Sequence, residues 1–123
     1  MKRVAFLVSG SGTNAENLIK KIQAGEVPAE AAIVISNKPG VKALEKVAAL
    51  GIKTIVIDHK AYADRETFDK ALGECLEKNK VDIIVLAGFM RILTEGFVKK
   101  YHERLINIHP ALLPAFPGAH AIR

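Results

Sequence analysis

A single cysteine, Cys75, stands among the 123 residues, so the chain can close no internal disulfide, and no Cys/His cluster has the spacing of zinc ligands. Neither a disulfide framework nor a bound metal is expected. No apolar run approaches the roughly 20 residues that span a bilayer, and the run after Met1-Lys2-Arg3 is shorter than the ~7 to 15 residues of a signal-peptide core. That opening reads as a first strand, the setting as cytoplasmic, with no membrane partner. Aromatic residues are scarce at 6%, and they do not interleave with basic side chains as a single-strand-binding surface requires. The formal charge of +5 therefore favours a small anionic ligand, with no nucleic acid as partner. Lysines and arginines are scattered between acids, as in Lys99-Lys100 near Glu103, and most of these charges serve only to solvate surface faces.

What is present is a soluble composition, half apolar and a quarter charged, in a length that suffices for one domain with its own core. Residues 1–123 are read as that single domain. Short β-rich runs alternate with segments of helical period, which predicts an α/β fold: a Rossmann-like open, mostly parallel sheet with helices on both faces. The strand candidates are Val4–Val8, Ala32–Ile35, Thr54–Ile57, Val81–Ala87 and Leu105–Ile108. Val81–Ala87 is almost continuously apolar and is expected at the centre of the sheet. Ala15, Leu18, Ile19 and Ile22 predict a first helix stopped by Gly25, and Leu44, Val47 and Ala48 a second closed by Gly51. Phe68, Ala71, Leu72, Cys75 and Leu76 give the cleanest helical stripe, with Asp64 as its N-cap and Cys75 in the core.

Two segments carry polar groups where chemistry needs them. Ser9-Gly10-Ser11-Gly12-Thr13-Asn14 lies between the first strand and the first helix, where free backbone N–H groups and the helix dipole favour an anion, phosphate above all. Gly10, Gly12 and Ala15 also satisfy dinucleotide spacing, but that reading wants an acid at the end of the second strand, where this sequence has Ser36-Asn37-Lys38. An NADP enzyme stays open, because Lys38 tolerates an extra phosphate. In Leu105-Ile106-Asn107-Ile108-His109-Pro110, Asn107 and His109 share one strand face, an amide beside an imidazole that suits an oxyanion. His59, His102 and His120 have no such partner and read as surface or loop residues. After the central strand, Ala87 to Leu93 offers Gly88 for close approach, apolar Phe89, Met90, Ile92 and Leu93, and Arg91 for a carboxylate.

Together, Gly10-Ser11-Gly12-Thr13-Asn14, the Ala87–Leu93 run, and Asn107-Ile108-His109-Pro110-Ala111-Leu112-Leu113-Pro114 with Phe116-Pro117-Gly118 resemble the phosphoribosylglycinamide formyltransferase family along essentially the whole chain. The resemblance implies the formyltransferase fold and transfer of a formyl group from 10-formyltetrahydrofolate, as co-substrate, to the amine of 5-phosphoribosylglycinamide in purine (IMP) biosynthesis. It implies that Gly12, Thr13 and Asn14 bind the substrate phosphate with Gly88 close by. Met90, Arg91, Ile92 and Leu93 would border the pterin, Arg65 would match an arginine on the folate side, and Asn107 and His109 would be catalytic, with Asn107 also touching folate. No metal is required.

The family pattern continues into a loop and strand that supply a catalytic aspartate, and no carboxylate here matches that position. The expectation is therefore a chain that stops at Arg123 before the family's last catalytic residue and binds ligand without useful turnover. An uncovered strand edge would then favour a homodimer. Three other readings stand beside this one: a formyltetrahydrofolate deformylase using the same Asn-x-His pair on water, an NAD(P)-dependent oxidoreductase, and a catalytically incomplete phosphate-ligand binding module.

Overall fold

A computed structural model describes residues 1–90 and 93–108. Five strands form one all-parallel sheet in the order β3-β2-β1-β4-β5: β1 Lys2–Val8, β2 Ala29–Ser36, β3 Thr54–Val56, β4 Ile83–Ala87 and β5 Leu105–Ile108. Four helices connect them, α1 Thr13–Gln23, α2 Lys42–Ala49, α3 Arg65–Lys78 and α4 Glu95–Lys100. The middle strand is β1, which corrects the expectation that Val81–Ala87 is central. Both strands are paired on two sides and covered on two faces, so both read as unbroken apolar runs, and the crossovers rather than composition decide which is the middle.

The period of two along β1 divides the core. Val4, Phe6 and Val8 pack with Ala15 and Ile19 of α1 and Ala43 and Val47 of α2, while Ala5 and Leu7 pack on the opposite face with Phe68, Leu72 and Leu76 of α3 and Phe97 of α4. Helices thus cover both faces, and no described helix is long and apolar enough to cross a membrane. Helix stops fall where the glycines stand: Gly25 at φ 84 and Gly51 at φ 82 take the left-handed conformation that ends α1 and α2. Cys75 is half-buried against the core, and burial pushes its thiol up from the ordinary value. Helix α4 was not foreseen, because six residues are too few to show a helical stripe; Thr94 caps it by accepting the Phe97 N–H at 3.2 Å.

Asp64 caps α3 as expected, accepting from the Thr67 hydroxyl at 2.7 Å and the Thr67 N–H at 2.8 Å. The hydroxyl first, then the backbone bond, holds its carboxyl below the ordinary value. A carboxyl lowered by folding stabilises the native state above its unfolded pKa, and that contribution fades as pH falls through the folded value. Asp64→Asn keeps an acceptor but does not titrate, so its urea midpoint should fall less than the wild type's between pH 7 and pH 3; equal falls would show that the cap is not coupled to protonation.

Candidate active site at the carboxyl edge of the sheet

From β1 the chain crosses to β2 and β3 on one side, then returns to lay β4 on the other. The reversal leaves a crevice beyond the carboxyl ends of β1 and β4, where open α/β sheets bind ligands. Residues 9–12 leave β1 on one side of it and residues 88–90 leave β4 on the other.

Gly12 occupies the N-cap of α1 at φ 70 with no side-chain cap, and its carbonyl accepts the Glu16 N–H at 2.8 Å to start the helix. The N–H groups of the first turn, Thr13 to Ala15, have no partner within the helix and point out of its positive end. Thr13 is exposed and Asn14 partly so. The turn is braced from behind by α2: the Ala43 N–H donates to the Gly10 carbonyl at 3.1 Å, and a Cβ on Gly12 would meet Ala43 Cβ and stand 2.9 Å from Ala43 Cα. Glu16, the acid in this first turn, is drawn to Lys20 at 3.4 Å and Lys46 at 4.0 Å. Backbone amides with polar side chains and a helix dipole suit an anion such as phosphate.

On the α3/α4 side of the sheet, a cavity of about 740 Å³ opens beside β4 and β5. Leu86 and Phe89, Leu93 and Val98, and Leu105 make its apolar walls; Asn107, whose strand partner is Leu86, brings an amide, and His102 and Glu103 stand on its rim. Among the described residues the Asn107 side chain has no hydrogen-bond partner, and its amide can donate two bonds. An apolar hollow with one convergent amide suits a planar ring system carrying a reactive carbonyl.

The structure therefore brings Gly12, Thr13, Asn14 and Gly88 to the crevice, and Leu93 and Asn107 to the cavity. Met90 is 75% exposed and lies outside the described lining, as does Arg65, exposed at the first residue of α3. Arg91, Ile92 and His109 lie outside the described residues, so the pairing of Asn107 with His109 rests on the sequence. His59 lies in the connection between β3 and α3, as expected of a loop residue, where its Nδ1 donates to the Asn37 carbonyl at 3.0 Å; that carbonyl, having no proton, fixes the donor. His102 is exposed, as expected, and lines the cavity at its rim. Sequence reasoning missed Leu86, Val98 and Leu105 as walls, because apolar residues on strands and helices look like core. Asn37, which the sequence already set against a dinucleotide site, takes its place at the end of β2. At 2% exposure, with its Oδ1 accepting the Ser9 hydroxyl at 2.6 Å, Asn37 is a buried amide where a dinucleotide enzyme needs an acid facing the ribose.

Fold and site together define a doubly wound α/β protein with a glycine-rich turn after β1 and an amide-edged apolar cavity beside β4 and β5. The chain belongs to the formyl transferase family, whose sequence model it matches over residues 2–123. It is 51% identical over 119 residues to the trifunctional purine biosynthetic protein adenosine-3 of Gallus gallus, covering 97% of this chain and 12% of that one. It is 36% identical over 122 residues to the phosphoribosylglycinamide formyltransferase of Bacillus subtilis, covering 99% of this chain and 63% of the relative. The crystal structure of phosphoribosylglycinamide formyltransferase from Brucella melitensis superposes with a TM-score of 0.87 at 44% identity, over 98% of this chain and 62% of that one. The chain thus spans under two thirds of the length of these relatives.

Proposed function

We propose that residues 1–123 carry the phosphate-binding and catalytic-strand part of an enzyme that moves a formyl group from 10-formyltetrahydrofolate to the amine of 5-phosphoribosylglycinamide, a cytoplasmic step of purine biosynthesis. The observation that carries this reading is the placement of an anion turn and an amide-edged apolar cavity along one strand edge of a formyl transferase family member. The amide groups of Thr13 to Ala15 and the Asn14 side chain hold the phosphate, Gly88 leaves the backbone open beside it, and the cavity holds the pterin with Leu93 against it. Arg65, Met90, Arg91 and Ile92 complete the folate side in this reading.

The chemistry follows from those placements. The substrate amine attacks the formyl carbon, and the carbonyl electron pair moves to its oxygen. Asn107 donates to that oxyanion, which is stabilised only as charge develops. His109 assists transfer of the amine proton, through water or directly, to the folate nitrogen as its bond to the formyl carbon breaks. A deformylase would direct water at the same carbon, but it has no use for a phosphate cradle one strand away.

Asn14→Ala tests the phosphate assignment. A hydrogen bond to a charged group is worth about 1.5–3 kcal/mol, so affinity for phosphoribosylglycinamide should fall roughly 10- to 100-fold. Affinity for a folate analogue, measured in parallel by calorimetry, should hold; equal losses for both ligands would count against the assignment.

A further inference from the structure

Formyl transfer requires the phosphate turn and the loop that follows β4 at Gly88 to keep a fixed spacing, because a misplacement of about 1 Å at the reacting atoms costs rate on the order of 10²-fold. The two loops leave different strands, so something must tie them. Ser9, the residue before the turn, is 5% exposed; its hydroxyl accepts the Met90 N–H at 2.8 Å and donates to Asn37 Oδ1 at 2.6 Å. Asn37 is in turn held at the end of β2, where its own carbonyl receives the His59 N–H at 3.3 Å and His59 Nδ1 at 3.0 Å. One directed chain of hydrogen bonds, Met90 to Ser9 to Asn37, therefore crosses the ends of β4, β1 and β2.

The far end of the same loop has its own anchor. Asp69 of α3, 5% exposed, accepts the Thr94 N–H on Oδ2 at 2.7 Å. Its Oδ1 is buried without a partner among the described residues, so the Thr94 bond is what those residues offer against the cost of burying the carboxylate. Both anchors grip backbone N–H groups, so they fix the Met90 and Thr94 backbone whatever the side chains there are.

We propose that Ser9 is a positioning residue that ties the phosphate turn to the cavity loop, with Asp69 as the second anchor, so that the two ligands are held at reacting distance. This rests on the functional reading above. It assigns no contact with substrate to either residue; the effect on turnover passes through the loop backbone.

Ser9→Ala removes both bonds with almost no change in volume, and Asp69→Asn keeps an acceptor for Thr94 as a conservative control. In Ser9→Ala the Met90 amide should exchange with solvent at least ~10-fold faster while amides within β1 and β4 keep their protection. In the complete enzyme, turnover should fall about 10-fold with the Kd of each ligand, measured separately, within about twofold; Asp69→Asn should retain Thr94 protection and most of the activity. Unchanged Met90 exchange in Ser9→Ala would overturn the proposal, as would fast exchange with unaltered turnover. A wild-type protein that binds neither ligand would sink the functional reading instead, and the exchange measurement would still report whether Ser9 holds the loop.

Discussion

In the complete enzyme, Asn107→Ala should lower turnover by roughly 10²-fold or more, the scale of losing one oxyanion donor, and leave the unfolding midpoint nearly unchanged. The amide lines an apolar cavity, has no partner among the described residues, and sits near the end of the outermost described strand, so little of the fold depends on it. Substrate affinity should change less than turnover, because the donor meets negative charge that exists only on the way to the tetrahedral intermediate. His109→Ala should cost a similar factor, and the double variant less than the product of the two, since both groups serve one reacting carbon. Steady-state kinetics with a parallel urea titration decide it. Full activity in the Asn107 variant would remove the oxyanion role.

Gly12→Val should unfold the protein more readily, by about 2–5 kcal/mol, from left-handed backbone strain and overpacking together. The position has φ 70, and any Cβ there collides with the Ala43 backbone of α2. Gly10 is the contrast: its φ is not positive and nothing stands within 4 Å of an added Cβ, so Gly10→Ala should fall within about 0.5 kcal/mol of wild type. Urea midpoints of the two variants test this directly. Equal midpoints would mean that the turn is not braced by α2. It follows that lost phosphate binding in a Gly12 variant reports on helix packing as much as on the ligand, and that Asn14 is the cleaner probe.

The local rules of the fold were visible in the sequence. Leu105–Ile108 coincides with β5, Asp64 caps α3, and Gly25 and Gly51 follow α1 and α2 in the left-handed conformation. β2 begins at Ala29 rather than Ala32, because its first residues pair with Lys2 to Val4 while carrying none of the β-branched side chains that signal a strand. The phosphate turn was legible for the same local reason, since glycine spacing between a strand and a helix is written in consecutive residues. The cavity was not: its walls come from β4, α4 and β5, and nothing in Leu86, Val98 or Leu105 distinguishes a ligand wall from core until the chain is folded. The bond from Ser9 to Asn37 joins residues 28 apart and depends on β1 lying beside β2, which no local pattern states.

The central claim is that this sheet edge holds a phosphorylated amine and a folate together at separate places. Calorimetry tests it by titrating phosphoribosylglycinamide and a folate analogue into the protein, first singly and then each into protein saturated with the other. The account predicts one site for each ligand, no mutual displacement, at least ~10-fold weaker binding of the acceptor without its phosphate, and no competition from NADPH. Mutual displacement, or displacement of phosphoribosylglycinamide by NADPH in a protein that ignores folate, would contradict it.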